Sequence, residues 1–109
     1  MFQCQIELLI NVLPENSEAD YITVAKYDFE PPDLQVGKEV WVHWEVWDKL
    51  YSLKCKVTGR KNVICSKGTH PDYKDKYVFL LRIFIETEDR EDKLQEIKEN
   101  LKKHNPHLK

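Results

Sequence analysis

The sequence predicts a mainly β protein, either a small antiparallel barrel or a strongly bent sheet of five to six strands, with one C-terminal α-helix. Apolar and polar residues alternate in several segments, which is the pattern of half-buried strands. Turn-forming residues separate these segments at intervals of about 8–12 residues, as in small barrels. Near the C-terminus, the apolar spacing changes to that of a helix. The 109 residues suffice for a single domain, 1–109, with its own core.

The predicted elements follow one another along the chain. Strands are expected at about residues 2–12, 21–29, 39–47, 50–59, 62–66 and 76–86, and the helix at about 88–104. The first of these strands shows the strictest alternation of apolar and polar residues. Polar segments that contain prolines, 13–20 and 31–38, separate the first three strands.

The second half of the chain contains the features that bear on topology. The segment GRKN (59–62) predicts a hairpin tip between the fourth and fifth strands. The last strand, YVFLLRIFIE (77–86), is apolar on both faces, which is typical of a central strand covered from two sides. In the tail, acidic residues begin and basic residues end a segment with an apolar stripe of Leu94, Ile97 and Leu101. We expect this helix to lie on the sheet or to close one end of the barrel.

Charge is unevenly distributed along the chain. Residues 1–48 carry a net charge of −8, residues 49–76 carry +6 and residues 77–109 are neutral, which gives the −2 of the whole chain. Opposite blocks of this kind either pair across strands or form a bipolar surface that steers a partner. The three cysteines have no CxxC spacing, and no apolar run reaches the roughly 20 residues of a membrane-spanning helix. We therefore expect a cytoplasmic protein without a membrane partner.

The segment VWVHWEVW (40–47) contains all three tryptophans of the chain. The strand face expected in the core carries Val40, Val42, Trp44 and Val46, and the opposite face carries Trp41, His43, Glu45 and Trp47. Two alternatives remain open for the second face. Either the helix or another wall of the sheet covers the rings, or the rings stay exposed and anchor a partner, as tryptophan does at binding hot spots. The residues predicted to bind a partner are Trp41, His43 and Trp47.

A basic segment, residues 54–76, supports an alternative function. Lys54 and Lys56 share one strand face, and Arg60 and Lys61 lie at the predicted hairpin tip. Basic residues near tyrosines on a small barrel are the components of a groove for single-stranded nucleic acid. The isoelectric point of about 6.1 argues against this function, because such binders are usually basic.

No motif in the sequence predicts catalysis, and none predicts a cofactor or a metal. The GxSxG, HExxH and glycine-rich phosphate-loop patterns are absent, and the histidines and cysteines lack the short paired spacing of zinc sites. Cys55 and Cys65 would face each other as reduced core thiols if the predicted hairpin forms. We therefore predict a small non-catalytic interaction module, such as an accessory, inhibitor or immunity-type protein, that binds another protein or itself. Nucleic-acid binding is the less favoured alternative.

Overall fold

A computed structural model of the chain describes residues 1–10, 21–88 and 91–104, with side chains in the last range at 94–100. Its elements are β1 (Phe2–Leu9), β2 (Tyr21–Tyr27), β3 (Glu39–Val46), β4 (Lys49–Cys65), β5 (Val78–Thr87) and α1 (Glu91–His104). The predicted end of the first strand at residues 11–12 and the side chain of Leu101 lie outside the described part. The strands form one sheet in the order β2–β1–β5–β4–β3, which curls into a half-barrel. No helix among the described residues is long and apolar enough to cross a membrane.

The sheet is mixed and open, whereas the sequence predicts an antiparallel sheet. β1 lies parallel to β5, with Phe2 opposite Phe79 and Leu8 opposite Ile85. The other three pairs of neighbouring strands are antiparallel, and no ladder joins the edge strands β2 and β3 within the described residues. The antiparallel barrel is therefore wrong, and the strongly bent sheet describes the curvature correctly. Alternation of side chains shows which face of a strand is buried, but it carries no information on the direction of the neighbouring strand.

β4 is a single strand of 17 residues, whereas the sequence predicts two strands, 50–59 and 62–66, joined by a hairpin. Between Val57 and Gly59, the register of β4 against β5 shifts at a bulge. Gly59 therefore marks a bulge rather than a turn, which is the other common role of a glycine inside a strand. After the bulge, β4 continues along β5 as far as Cys65.

The core lies on the concave face of the sheet. Its buried apolar side chains come from four strands, β1, β3, β4 and β5, and from Ile10, which follows β1. They are Cys4, Ile6, Leu8, Ile10, Val46, Tyr51, Leu53, Cys55, Val57, Leu81, Ile83 and Ile85. α1 adds the buried Ile97, and Asn100 Nδ2 donates a hydrogen bond to the Val46 carbonyl oxygen at 3.1 Å. The helix therefore covers the end of the half-barrel where β3 ends, which is one of its two predicted placements.

A loop covers part of the convex face, where His70 is buried against β1. His70 Nε2 lies 2.9 Å from Gln3 Oε1, and the Asp72 backbone N–H donates to His70 Nδ1 at 3.1 Å. Because Nδ1 is an acceptor, Nε2 carries the proton and donates to Gln3. The segment 66–77, which the sequence presents only as a polar loop, therefore supplies a second cover for the centre of the sheet.

The convex face also holds a partly buried ion pair between β1 and β5. Arg82 Nε donates to a Glu7 carboxylate oxygen at 2.6 Å, and Arg82 Nη2 binds the same oxygen. The Thr23 hydroxyl donates to the other Glu7 oxygen at 3.3 Å, and the Arg82 guanidinium lies 5.0 Å from the centre of the Phe84 ring. Glu7 is buried, so its negative charge depends on these donors for stabilisation.

We expect Arg82→Met to destabilise the protein by about 2–3 kcal/mol, because it leaves the buried Glu7 carboxylate without its cation. Adding Glu7→Gln should restore at least half of this loss, because a neutral amide needs no counter-charge. Urea unfolding followed by circular dichroism measures the free energy of unfolding of both variants. The ion pair has no such role if Arg82→Met costs less than about 0.5 kcal/mol, or if the double variant is no more stable than the single one.

Candidate functional site

The edge strands β2 and β3 border an open apolar groove with a volume of ≈ 320 Å³. It is lined by Ile6, Val24, Ala25, Tyr27, Pro31, Pro32, Leu34, Val40, Trp41, Val42, His43 and Ile85. Ile6 and Ile85 belong to the buried core, so they form the floor of the groove. β2 and β3 supply its two walls, and the connection between them supplies one end. The groove is therefore the place where the concave core opens between the two unpaired edges.

Arg60 holds the connection between β2 and β3 in place. The bulge in β4 turns Arg60 to the concave side, opposite Ile83 in the register. Its Nη1 donates to the Leu34 carbonyl oxygen at 2.9 Å, and its Nη2 binds the Glu30 carboxylate. Further along the connection, Gly37 has a φ of 95°, in the left-handed region that favours glycine. These features fix the end of the groove that contains the two prolines.

Trp41 and His43 lie at the lip of the groove, and Trp47 lies outside it. Trp41 is 60 % exposed and Trp47 is 48 % exposed, so the alternative in which other elements cover both rings is wrong. Trp47 also does not continue the strand. Val46 pairs with Lys49, which leaves Trp47 as the first residue of a two-residue turn. The structure therefore brings two of the three predicted residues to one site and places the third at the adjacent turn.

Leu50 belongs to the same exposed surface, although the sequence does not single it out. It lies opposite Glu45 in the register and is 66 % exposed. The turn takes only residues 47 and 48, so Leu50 belongs to β4, within the predicted strand 50–59. Its side chain shares the outer face of the hairpin with Trp41 and His43. The groove residues of β2 could not be predicted, because nothing in the sequence shows that β2 and β3 are both edge strands.

The structure places three of the four basic residues of the nucleic-acid alternative on the convex face of the sheet and one, Arg60, on the concave face. These residues are Lys54, Lys56, Arg60 and Lys61. Lys54 Nζ lies 3.7 Å from a Glu39 oxygen and 3.8 Å from a Glu88 oxygen, and Lys56 Nζ lies 3.7 Å from the other Glu88 oxygen. Arg60 binds the Glu30 carboxylate on the concave side, and Lys61 follows Arg60 within β4 rather than at a hairpin tip. Carboxylates therefore neutralise much of the basic segment within the fold.

The thiols and other potential metal ligands lie apart from one another. The described residues contain no group of three or more His, Cys, Asp or Glu side chains that could hold a metal ion. Cys55 and Cys65 are reduced thiols at opposite ends of the β4–β5 ladder, so the predicted contact between them is wrong. Burial raises the pKa of the Cys4 thiol; the Arg60 guanidinium opposes this effect and the Glu30 carboxylate adds to it. Cys4 is therefore a protonated core thiol at neutral pH rather than a nucleophile.

Comparison of the chain with protein-family models, with curated protein sequences and with solved structures gave no match. The groove and the exposed outer face of β3 are accordingly the features from which we infer a function.

Trp47 has a φ of 54°, a left-handed conformation in which a bulky residue is strained. Trp47→Gly and Trp47→Ala both remove the indole ring, but only glycine adopts this conformation without strain. We therefore expect the glycine variant to be more stable than the alanine variant by about 1 kcal/mol. Urea unfolding of the two variants measures the difference. Equal stabilities would show that the backbone strain at this turn is negligible.

Proposed function

We propose that this protein is a small non-catalytic interaction module that binds another protein at the groove between β2 and β3. Trp41 and His43 lie in the contact, and Trp47 lies at its rim. The observation that carries the proposal is the position of Trp41, a largely exposed ring on an unpaired edge strand beside an apolar groove. An accessory, inhibitor or immunity-type role is consistent with such a surface.

Covering the exposed part of Trp41 would stabilise a complex substantially. A tryptophan side chain presents about 150–250 Å² of area for burial. With 60 % of the residue exposed, burial at about 25 cal/mol per Å² contributes roughly 2–4 kcal/mol. This is the size of effect that distinguishes a binding hot spot from the rest of an interface.

The groove itself favours apolar side chains over a polar substrate. Its volume of ≈ 320 Å³ is at the lower end of the roughly 300–1,000 Å³ of small-molecule sites. Its lining contains no carboxylate, lysine or arginine among the described residues, so a charged small molecule would find no counter-charge inside it. Aliphatic side chains of a partner match both its size and its lining.

The other predicted functions have less support from this surface. Nucleic-acid binding would require Lys54 and Lys56 to exchange Glu39 and Glu88 for phosphates. Self-association through the β3 edge is the nearest variant of the proposal, since a second copy is also a protein partner.

The cytoplasm remains the expected location of the protein. The free thiols Cys4, Cys55 and Cys65 support this expectation, because cysteines stay reduced in that compartment.

Selection of a displayed library of random peptides against the full chain tests the proposal. We expect Trp41→Ala to weaken the binding of the selected peptides by at least about tenfold, because the ring loses its contact area. Ile64→Ala is the matched control, since Ile64 is 83 % exposed and lies on β4 beyond the residues that pair with β3. Thermal unfolding verifies that both variants fold.

Two outcomes would contradict the proposal. One is a set of selected peptides that bind wild type and Trp41→Ala equally well. The other is an absence of peptide binding together with binding of a single-stranded oligonucleotide that weakens steeply with salt and disappears in Lys54→Glu/Lys56→Glu. The second outcome would establish the nucleic-acid alternative.

A further inference from the structure

We infer that the partner enters this site as an extended segment that pairs with the free edge of β3. The segment alternates apolar side chains, which enter the groove, with basic side chains, which lie on the outer face. The inference rests on the proposed function and adds to it the backbone geometry and the charge of the partner.

β3 provides the more regular of the two edges. Its residues pair with β4 in unbroken register from Glu39 to Val46. In β2, by contrast, the register against β1 shifts at a bulge, which leaves Val24 as an extra residue. A bulge disrupts a ladder and is a common way of protecting a sheet edge from pairing. An added strand therefore meets continuous hydrogen-bonding partners along β3 and interrupted ones along β2.

The side chains of β3 point alternately to the concave face and to the outer face. An added strand therefore contacts different chemical groups on its two faces. Val40 and Val42 point to the concave face, and they line the groove together with the floor residues Ile6 and Ile85. Alternate residues of a strand paired with β3 point into the same space. These residues must be apolar, because the groove contains no charged lining side chain among the described residues.

The outer face of β3 favours basic residues on the other side of the added strand. Trp41 and Glu45 lie on this face, on either side of His43 along the strand. An arginine or lysine beside them gains a cation–π contact with the indole and an opposite-charge cross-strand pair with the carboxylate. An acidic residue opposite Glu45 would be repelled by its carboxylate.

The charge of the surrounding chain points in the same direction. Residues 21–48, which comprise β2, β3, their connection and the start of the next turn, contain six acidic and two basic residues. Glu30 and Glu39 pair with Arg60 and Lys54 of β4, and Lys26 lies 3.6 Å from Asp72, so four acidic residues and one basic residue of this segment lie outside these pairs. The groove is therefore bordered by net negative charge, which raises the association rate of a basic segment and disfavours an acidic one.

The test uses two synthetic peptides as long as β3, one alternating valine with arginine and the other alternating valine with glutamate. Each is titrated into the full chain at low salt and followed by tryptophan fluorescence. We expect the arginine peptide to bind at least about tenfold more tightly than the glutamate peptide. Glu45→Lys should weaken the binding of the arginine peptide by about tenfold. The same substitution at Glu99, an exposed acid on α1, is the matched control and should have no effect.

Backbone methylation tests the strand pairing separately from the charge. Two further arginine peptides carry N-methyl groups on alternate residues, in opposite phases. A strand that pairs along one edge uses the N–H groups of every second residue only. The peptide methylated at the other residues should therefore bind like the parent, and the peptide methylated at the pairing residues should lose binding. Equal binding of the two methylated peptides would overturn the strand pairing.

The remaining outcomes separate this inference from the proposed function. If the glutamate peptide binds as tightly as the arginine peptide, the predicted charge of the partner is wrong. If neither peptide binds while library peptides still bind in a Trp41-dependent manner, the inference fails and the proposed function stands. If the chain sediments as a dimer that Glu45→Lys dissociates, the occupant of the β3 edge is a second copy, and the inference of a basic partner is overturned.

Discussion

The sheet is one pairing short of closure, and the candidate site exists because of that gap. Four pairings join the five strands, and β2 and β3 remain as edges within the described residues. Backbone N–H and C=O groups along such edges need water or a partner chain. The buried side chains of Ile6 and Ile85 form the floor of the apolar groove between the same two strands. Unpaired backbone and apolar surface therefore coincide at one place on this molecule.

The open sheet keeps its shape because its centre is covered on both faces. On the concave side, Ile97 of α1 packs into the core, and Asn100 ties the helix to the end of β3. On the convex side, His70 and the Glu7–Arg82 pair connect β1 to a distant loop and to β5. These contacts join residues that are far apart in the chain, so they stabilise the parallel β1–β5 pairing, which no short turn supports.

Charge has two roles in this fold. Where the acidic and basic blocks of the chain meet, they form ion pairs between neighbouring segments, such as Glu39 with Lys54 and Glu30 with Arg60. These pairs involve Lys54 and Arg60 of the basic segment. They attach β3, and the connection before it, to β4. The acidic residues that remain near β3 then border the groove, which gives that edge its net negative charge. The uneven sequence therefore produces both internal pairing and an excess of acidic residues in the segment that contains β2 and β3.

The local properties of the strands follow from the sequence alone, because a period of two residues records directly which side chains share a face. The alternation identified the buried face of β1, the inward valines of β3 and the outward Trp41 and His43, and the change of period identified α1. The turn-forming residues of GRKN (59–62) were misleading, because a bulge and a turn have similar residue preferences at Gly59. Only the tertiary structure decided that β1 and β5 are parallel neighbours, that β2 and β3 are both edges, and that Arg60 faces the concave side. Each of these depends on which distant segments pair, and side-chain alternation within one strand is the same whichever strand lies beside it.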